Sequence, residues 1–443
     1  MKKSILLIVA VCLFGIWGCS TDDQNFKETQ TKEIARKSTG GATTPDIVHN
    51  QIVVKFDDPS LTDIQKDAIR TTIQNNYNFA ILTKEVCSCD PNGPELWTID
   101  VSLPGFIDVE NLVENLSDDT EGEQGLEGDL QFFFSLDNSA IQGNYSSSIQ
   151  GKIDYGNSAD MLNIAILDSG LDYNFFSTPI LYNTSDRDSK YNDVSGWDFI
   201  NEDPDIQDDY GHGTLVAKLI HDELSATNIY HKILAIKAFD HRGRGDYFSI
   251  VCGTNYISKI PDIHLINMSF GWYDNTEQNI LKNIIASIPN HPIIITSAGN
   301  DGINGNIEEN KHYPSGYALT NMFAVGGYEL SFPIDHTISL TDYFDDLWIE
   351  RSNYGSEVVD LLAPFNGYEL YLNTRQNPDP ILIEPVGTSF SAAFTTARIG
   401  KLFDPRSSIL SLKSEFLRST YPLLRMDDIV KDGTVLIPYH FNN

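Results

Sequence analysis

From Leu162 onward the chain alternates short, wholly apolar runs with stretches of helical periodicity, and no other feature narrows the fold as much. Leu162-Asn-Ile-Ala-Ile-Leu-Asp168, Ile263-His-Leu-Ile-Asn-Met-Ser269 and Pro292-Ile-Ile-Ile-Thr-Ser297 lack the polar-apolar alternation of a half-exposed strand. Strands apolar on both faces belong to a parallel sheet covered by helices on either side. Residues 161–443 are therefore expected to form an α/β unit of that kind. In such sheets the side chains that do chemistry gather at the carboxyl ends of the strands.

The preceding stretch, 47–136, has a different texture. Gln51-Ile-Val-Val-Lys-Phe56 reads as a strand, and Ser60-Leu-Thr-Asp63 as a capping pattern before a helix. Val109, Leu112, Val113 and Leu116 form one apolar helical stripe between strands at 95–101 and 130–134. The predicted order is strand, helix, strand, helix, strand, a small α+β domain of ferredoxin-like type. Before a catalytic region, such a domain is either a folding and inhibitory propeptide or a separate binding module.

The first 19 residues read as a signal segment: Lys2 and Lys3 precede an apolar run from Ile5 to Trp17. Ile16-Trp17-Gly18-Cys19 resembles a bacterial lipobox, with Cys19 as the lipidated residue, although Trp17 is bulkier than that pattern usually holds. The other reading is ordinary signal cleavage nearby, and both predict export. Residues 20–46 read as a flexible tether. With 30 Lys and Arg against 62 Asp and Glu, the surface is unsuited to nucleic acid or to anionic membrane. The five cysteines, Cys12, Cys19, Cys87, Cys89 and Cys252, show no framework of pairs. Disulfides are thus not expected to hold the fold, Cys87-Ser88-Cys89 reads as a plain loop, and Cys252 as a buried thiol.

Four short stretches carry candidate chemistry. Asp168 ends the first apolar strand in Asp-Ser-Gly170, where a turn cap is the plainer reading. His212 lies between glycines in Asp208-Asp-Tyr-Gly-His-Gly-Thr214, at the start of a predicted helix over 215–224. Asn300 ends Thr296-Ser-Ala-Gly-Asn300, a turn former that could also donate to a developing oxyanion. Ser389 stands in Val386-Gly-Thr-Ser-Phe-Ser-Ala-Ala-Phe-Thr-Thr-Ala397, whose small residues suit any helix start.

Taken together, Ile164-Ala-Ile-Leu-Asp-Ser-Gly170, Gly211-His-Gly-Thr-Leu-Val-Ala217, Ser297-Ala-Gly-Asn300 and Gly387-Thr-Ser389 resemble the subtilisin-like serine protease family, in the family's order and over about 160–405. The resemblance implies a subtilisin-like sheet and a triad of Asp168, His212 and Ser389, with Asn300 in the oxyanion hole. It implies hydrolysis of polypeptides without a cofactor. The domain at 47–136 resembles the family's propeptide, which implies an intramolecular inhibitor and a self-processing zymogen cut between 137 and 160. The resemblance likens Ser269, Phe270 and Gly271 to one substrate-pairing strand and Gly243, Gly245 and Tyr247 to the opposite one. Ser297, Ala298 and Gly299 are likened to a wall of the primary specificity pocket, and His312 to its base. His312 stands where family members often have Gly, which predicts a shortened or polar pocket; a plain surface loop is the competing reading.

Two departures bear on metal and folding. The segment after His212 is shorter than in calcium-loaded members, whereas Asp198, Asn201, Asp203, Asp205 and Asp208 place closely spaced oxygens before it, either a calcium site or a solvated acidic loop. Ala393 replaces the family's usual Pro four residues after Ser389. The sequence thus predicts an exported endopeptidase, lipid-anchored if Cys19 is modified and facing the periplasm or cell surface. A dedicated processing peptidase and a non-catalytic peptide-binding relative are the alternatives.

Overall fold

The computed structural model describes residues 45–437 except 118–124, 137–148, 157–159, 177, 185–193, 275, 330–348, 373–380 and 424–425. The signal segment, Cys19, the tether and most of the region assigned to the maturation cut lie outside the described residues.

The N-terminal domain runs β1 (Asp46–Phe56), α1 (Asp63–Tyr77), β2 (Ala80–Val86), β3 (Glu95–Asp100), α2 (Val109–Ser117) and β4 (Leu126–Ser135). Its antiparallel sheet has the order β4-β1-β3-β2. The sequence reading missed β2, because this edge strand is mostly exposed and shows no apolar alternation. The expected cap of α1 shifts by two residues: Thr62, not Ser60, accepts from the backbone N–H of Gln65, and Gln65 accepts in return from the Thr62 N–H. Ile52, Val54, Trp97, Leu112 and Leu116 pack between the sheet and its two helices.

The second region is built on β5 (Leu162–Asp168), α3 (His212–Ser225), β6 (His231–Lys237), β7 (Arg244–Asp246), α4 (Tyr247–Ser258), β8 (Leu265–Met268), α5 (Asn279–Ser287), β9 (Ile293–Ser297), β10 (Met322–Tyr328), β11 (Leu361–Pro364), α6 (Thr388–Gly400) and α7 (Ile409–Ser419). Six strands run parallel in the order β11-β10-β9-β8-β5-β6, and short strands widen both edges. Every residue of β5, β8 and β9 is buried, as their apolar sequences predict, and so is every residue of β6, although it carries His231, Lys232 and Lys237. The strand order reverses direction between β5 and β8, so a crevice is expected beyond the carboxyl ends of those two strands.

The two regions share a hydrophobic core, to which the first contributes Val53, Leu96, Phe132, Phe134 and Leu136. β7 joins the N-terminal sheet as a fifth strand, pairing antiparallel with β4 through Arg244–Ser135, Gly245–Phe134 and Asp246–Phe133. The N-terminal domain also completes two helices of the other region. Asp129 accepts from the backbone N–H groups of Asn279 and Ile280 at the start of α5, and from the Tyr247 hydroxyl. Gln131 accepts from the Phe248 N–H in the first turn of α4 and donates to the cap residue Asp246. Such groups have no partner within their own helix.

The cysteine expectation is overturned. Cys87, just after β2, and Cys252, in the middle of α4, form a disulfide with Cα atoms 5.3 Å apart. Their separation of 165 residues hides the pair from any local spacing rule.

Candidate active site

Asp168 is the last residue of β5 and is completely buried. Its carboxylate oxygens lie 2.8 and 2.9 Å from Nδ1 of His212, the first residue of α3. A carboxylate only accepts, so Nδ1 carries the hydrogen and Nε2 is left as the basic nitrogen. Glycine makes the approach possible: a Cβ on Gly213 would stand 2.4 Å from the Gly170 carbonyl and 3.1 Å from the Asp168 Cβ. Ser169 accepts from the Gly213 N–H and reinforces the same join.

Asp208 holds the turn that delivers His212. Its carboxylate accepts from the N–H groups of Tyr210, Gly211 and Thr214 and from the Thr214 hydroxyl. Burial pushes the Asp208 carboxyl above the usual range, against the pull of these donors. The other residues of the acidic segment are occupied similarly. Asp198 accepts from Ile200, from the N–H and side-chain amide of Asn201, and pairs with Lys237 at 3.2 Å. Asp203 and Asp205 each cap the turn two residues on. Among the described residues no group of three or more His, Cys, Asp or Glu is arranged to hold a metal ion, so the closely spaced oxygens do not converge as the sequence spacing suggested. Their shared cause is turn geometry, in which Asp accepts from the backbone just ahead of it.

Ser389 lies in the first turn of α6, whose N-cap Gly387 has φ 133°, a conformation that favours glycine. Its hydroxyl donates to the Ser269 carbonyl at 2.9 Å, and the Ser269 hydroxyl lies 2.9 Å from the Ser389 carbonyl. This reciprocal pair fastens the end of β8 to the start of α6, and Asn267 extends it by donating to Thr396. The His212 and Phe390 rings are 5.7 Å apart, which puts the imidazole beside the same helix start. Ala393 is buried inside an uninterrupted helix, where an Ala N–H, unlike Pro, can donate to the carbonyl four residues back. The Asn300 carbonyl oxygen accepts from both the N–H and the hydroxyl of Thr388, which fixes the amide next to Ser389. Its nitrogen lies 3.4 Å from where a Cβ on Gly387 would stand. Sequence reasoning missed Thr388, Asn267 and Thr396, which are ordinary helix and strand residues when read locally.

The two segments likened to substrate strands flank the end of β4. Gly243 accepts from the Leu136 N–H at 2.8 Å, and Gly245 pairs with Phe134. Phe134 is enclosed by Phe239, Phe270 and Trp272, with ring centroids 5.4, 6.0 and 5.0 Å away. Tyr247 differs from expectation: it is the first residue of α4, fully buried, and its hydroxyl is committed to Asp129 rather than to the groove.

At the wall and base likened to a specificity pocket, Ser297 ends β9, and the Ala298 carbonyl accepts from Asn353. The Gly299 N–H lies 3.3 Å from the Thr388 hydroxyl. His312 is a buried residue and not part of a surface loop; its Nδ1 lies 2.7 Å from the Ser315 hydroxyl, and its ring meets Tyr273 edge-on at 5.0 Å. A Cβ on Gly271 would stand 2.1 Å from that ring, so the imidazole presses against the strand that ends the groove. Ala298, His312, Ser315 and Asn353 line one small cavity. Burial pushes the His312 imidazole down to about 3, so it is neutral at ordinary pH.

A crevice at the reversal of a parallel sheet, with an Asp-His pair on one side and a serine-bearing helix start on the other, defines a serine protease family. Residues 160–420 match the Subtilase family, and the chain belongs to it. A thermophilic serine proteinase of Bacillus sp. (strain AK1) is 30% identical over 208 residues, 45% of this chain and 43% of that protein. The chain thus covers less than half of that relative's length. The major intracellular serine protease of Bacillus subtilis (strain 168) is 26% identical over 280 residues, 59% of this chain and 76% of that protein. Among solved structures, a lanthipeptide protease is similar over 63% of this chain and 86% of its own, with 20% identity and a TM-score of 0.48.

Proposed function

We propose that this chain is an exported serine endopeptidase, made as a zymogen that cuts itself between the N-terminal domain and residue 160. The observation that carries the reading is the Asp168–His212 pair beside the helix start that bears Ser389. Ser389 Oγ, once turned from the Ser269 carbonyl toward His212 Nε2, gives up its proton as it attacks a peptide carbonyl. Asp168 stabilises the resulting imidazolium and keeps Nε2 aimed at the reacting atoms. The Asn300 amide and the Ser389 N–H, at the positive end of α6, stabilise the oxyanion. His212 then protonates the leaving amine, and water attacks the acyl-enzyme by the same route in reverse. The chemistry so written uses side chains and backbone alone and needs no cofactor.

The substrate is a polypeptide in extended form, adding to β7 as β4 does in the structure. The position of β4 supports the N-terminal domain as the intramolecular inhibitor. Export and lipid attachment at Cys19 rest on the sequence of residues 1–19. His312 at the base of the pocket favours small residues before the cut and a narrow processing role over broad digestion. His312→Gly should broaden cleavage of a peptide library, and unchanged preferences would sink that part of the reading. The central test compares chain length, after reduction of disulfides in a denaturing gel, in wild type and Ser389→Ala. Wild type is expected to shorten and the variant to persist at full length until active protein is added; a variant that matures unaided contradicts self-cleavage.

A further inference from the structure

Cleavage between 137 and 160 does not by itself free the N-terminal domain, because the Cys87–Cys252 bridge spans that region. Any single cut between 88 and 251 yields two chains that remain covalently joined. The bridge also sits where it restrains most. In the sheet order β4-β1-β3-β2, the β4 edge is held by its ladder to β7, and Cys87 follows β2 at the opposite edge. Beside the bridge, Asp90 accepts from Asn255 at 3.2 Å and pairs with Lys259 at 3.0 Å, both at the end of α4. The domain is therefore fastened at both edges, and the cut loosens only the end nearest Ser389.

We infer that the mature protein is a two-chain molecule whose N-terminal domain stays attached through Cys87–Cys252, and that a dithiol reductant, acting after the cut, is what opens the substrate groove. The inference rests on the self-cleavage proposed above for the cut, but not for the bridge. A tethered domain rebinds its own groove at an effective concentration in the mM range, on the order of 10³ times that of protein at μM. Both bridged cysteines are 2% exposed, so a reductant reaches them only when the N-terminal sheet lifts from α4. Reduction is a two-step exchange. One sulfur of the dithiol attacks a bridge sulfur and forms a mixed disulfide; its second sulfur then closes the ring. The S–S bond of Cys87–Cys252 breaks, both cysteines leave as thiols with the two protons and two electrons supplied, and the reductant departs as its own disulfide. Cys89, the neighbouring thiol, lies 3.7 Å from the Cys252 carbonyl, and burial pushes it up to about 12. It is protonated at neutral pH and does not attack the bridge itself.

The test uses full-length protein in two forms. Ser389→Ala, carrying a recognition sequence for an unrelated protease in place of residues 140–146, is nicked in vitro and alkylated before any reduction. The expected result is a cross-linked Cys87–Cys252 peptide and two fragments that separate only after dithiothreitol. Alkylated Cys87 and Cys252, or fragments that part without reductant, overturn the inference whatever the activity of Ser389. Self-matured wild type is then assayed on a fluorogenic peptide, where dithiothreitol should raise activity by about 10²–10³-fold. Cys252→Ala, or Cys87→Ala if that variant folds poorly, should be as active without reductant. Full activity of the bridged wild type overturns the gating, and failure of wild type to cut itself while the nicked variant stays bridged counts against the proposed protease alone.

Discussion

Replacing His312 by Gln should change how stability depends on pH, by an amount the structure sets. The imidazole is enclosed by Gly271, Tyr273 and Ser315, and burial alone holds it down at about 3, against 6.5 in the unfolded chain. Between those values the unfolded state binds a proton at this residue and the folded state does not. Lowering the pH through that window therefore favours unfolding, so the contribution is intact above 6.5 and is lost as pH falls toward 3. A full pH unit inside that window is worth about 1.4 kcal/mol and the first is only partly effective, because the unfolded imidazole is half protonated at pH 6.5, so wild type should lose about 2 kcal/mol relative to His312→Gln between pH 6.5 and 4.5. Gln keeps a hydrogen-bonding group for Ser315 but does not titrate, and buried carboxyls such as Asp129, Asp172 and Asp208 cancel in the difference. The assay is guanidinium unfolding of both proteins in a Ser389→Ala background, which prevents autolysis, at pH 7.5, 6.5, 5.5 and 4.5. If the two stabilities fall in parallel, His312 is not held neutral by its pocket, and the account of the pocket base fails with it.

Asn300→Ala should lower kcat by about 10²–10³-fold, the scale set for such a donor by subtilisin, a relative, with KM little changed; steady-state kinetics on a peptide decides it. Phe134→Ala should weaken the seat of the N-terminal domain by about 3–5 kcal/mol, since the ring fills a niche between Phe239, Phe270 and Trp272; a lower melting temperature of the uncut Ser389→Ala protein would show it. EDTA should leave that melting temperature unchanged, because Asp198, Asp203, Asp205 and Asp208 already accept from their own turns. A rise on adding calcium would return those carboxylates to a metal.

The parallel sheet and the positions of Asp168, His212, Asn300 and Ser389 were legible because each stands at the end of an apolar run, beside a glycine or, for Ser389, two residues after one at a helix start, where local pattern and local structure coincide. What stayed hidden depends on partners far along the chain. Asp129 reads as a surface carboxylate until α5 is placed over it, 150 residues on. Cys87-Ser88-Cys89 read as a plain loop, because the partner of Cys87 lies on a helix of the other region. β2 eluded the pattern because an exposed edge has no buried face to write into its sequence. The acidic run before His212 allowed two readings from sequence, a cation loop or a solvated acidic loop, and its carboxylates accept from the backbone and side chains of their own turns.

The capping of α4 and α5 by Gln131 and Asp129 has a kinetic consequence. A helix whose first turn is finished by a side chain 150 positions away cannot complete its folding on local contacts, and long-range closure of that kind is slow. The two helices that back the groove would then reach their final form only after the N-terminal sheet exists to meet them. In the order of synthesis, Asp129 and Gln131 leave the ribosome before the two helices whose first turns they complete.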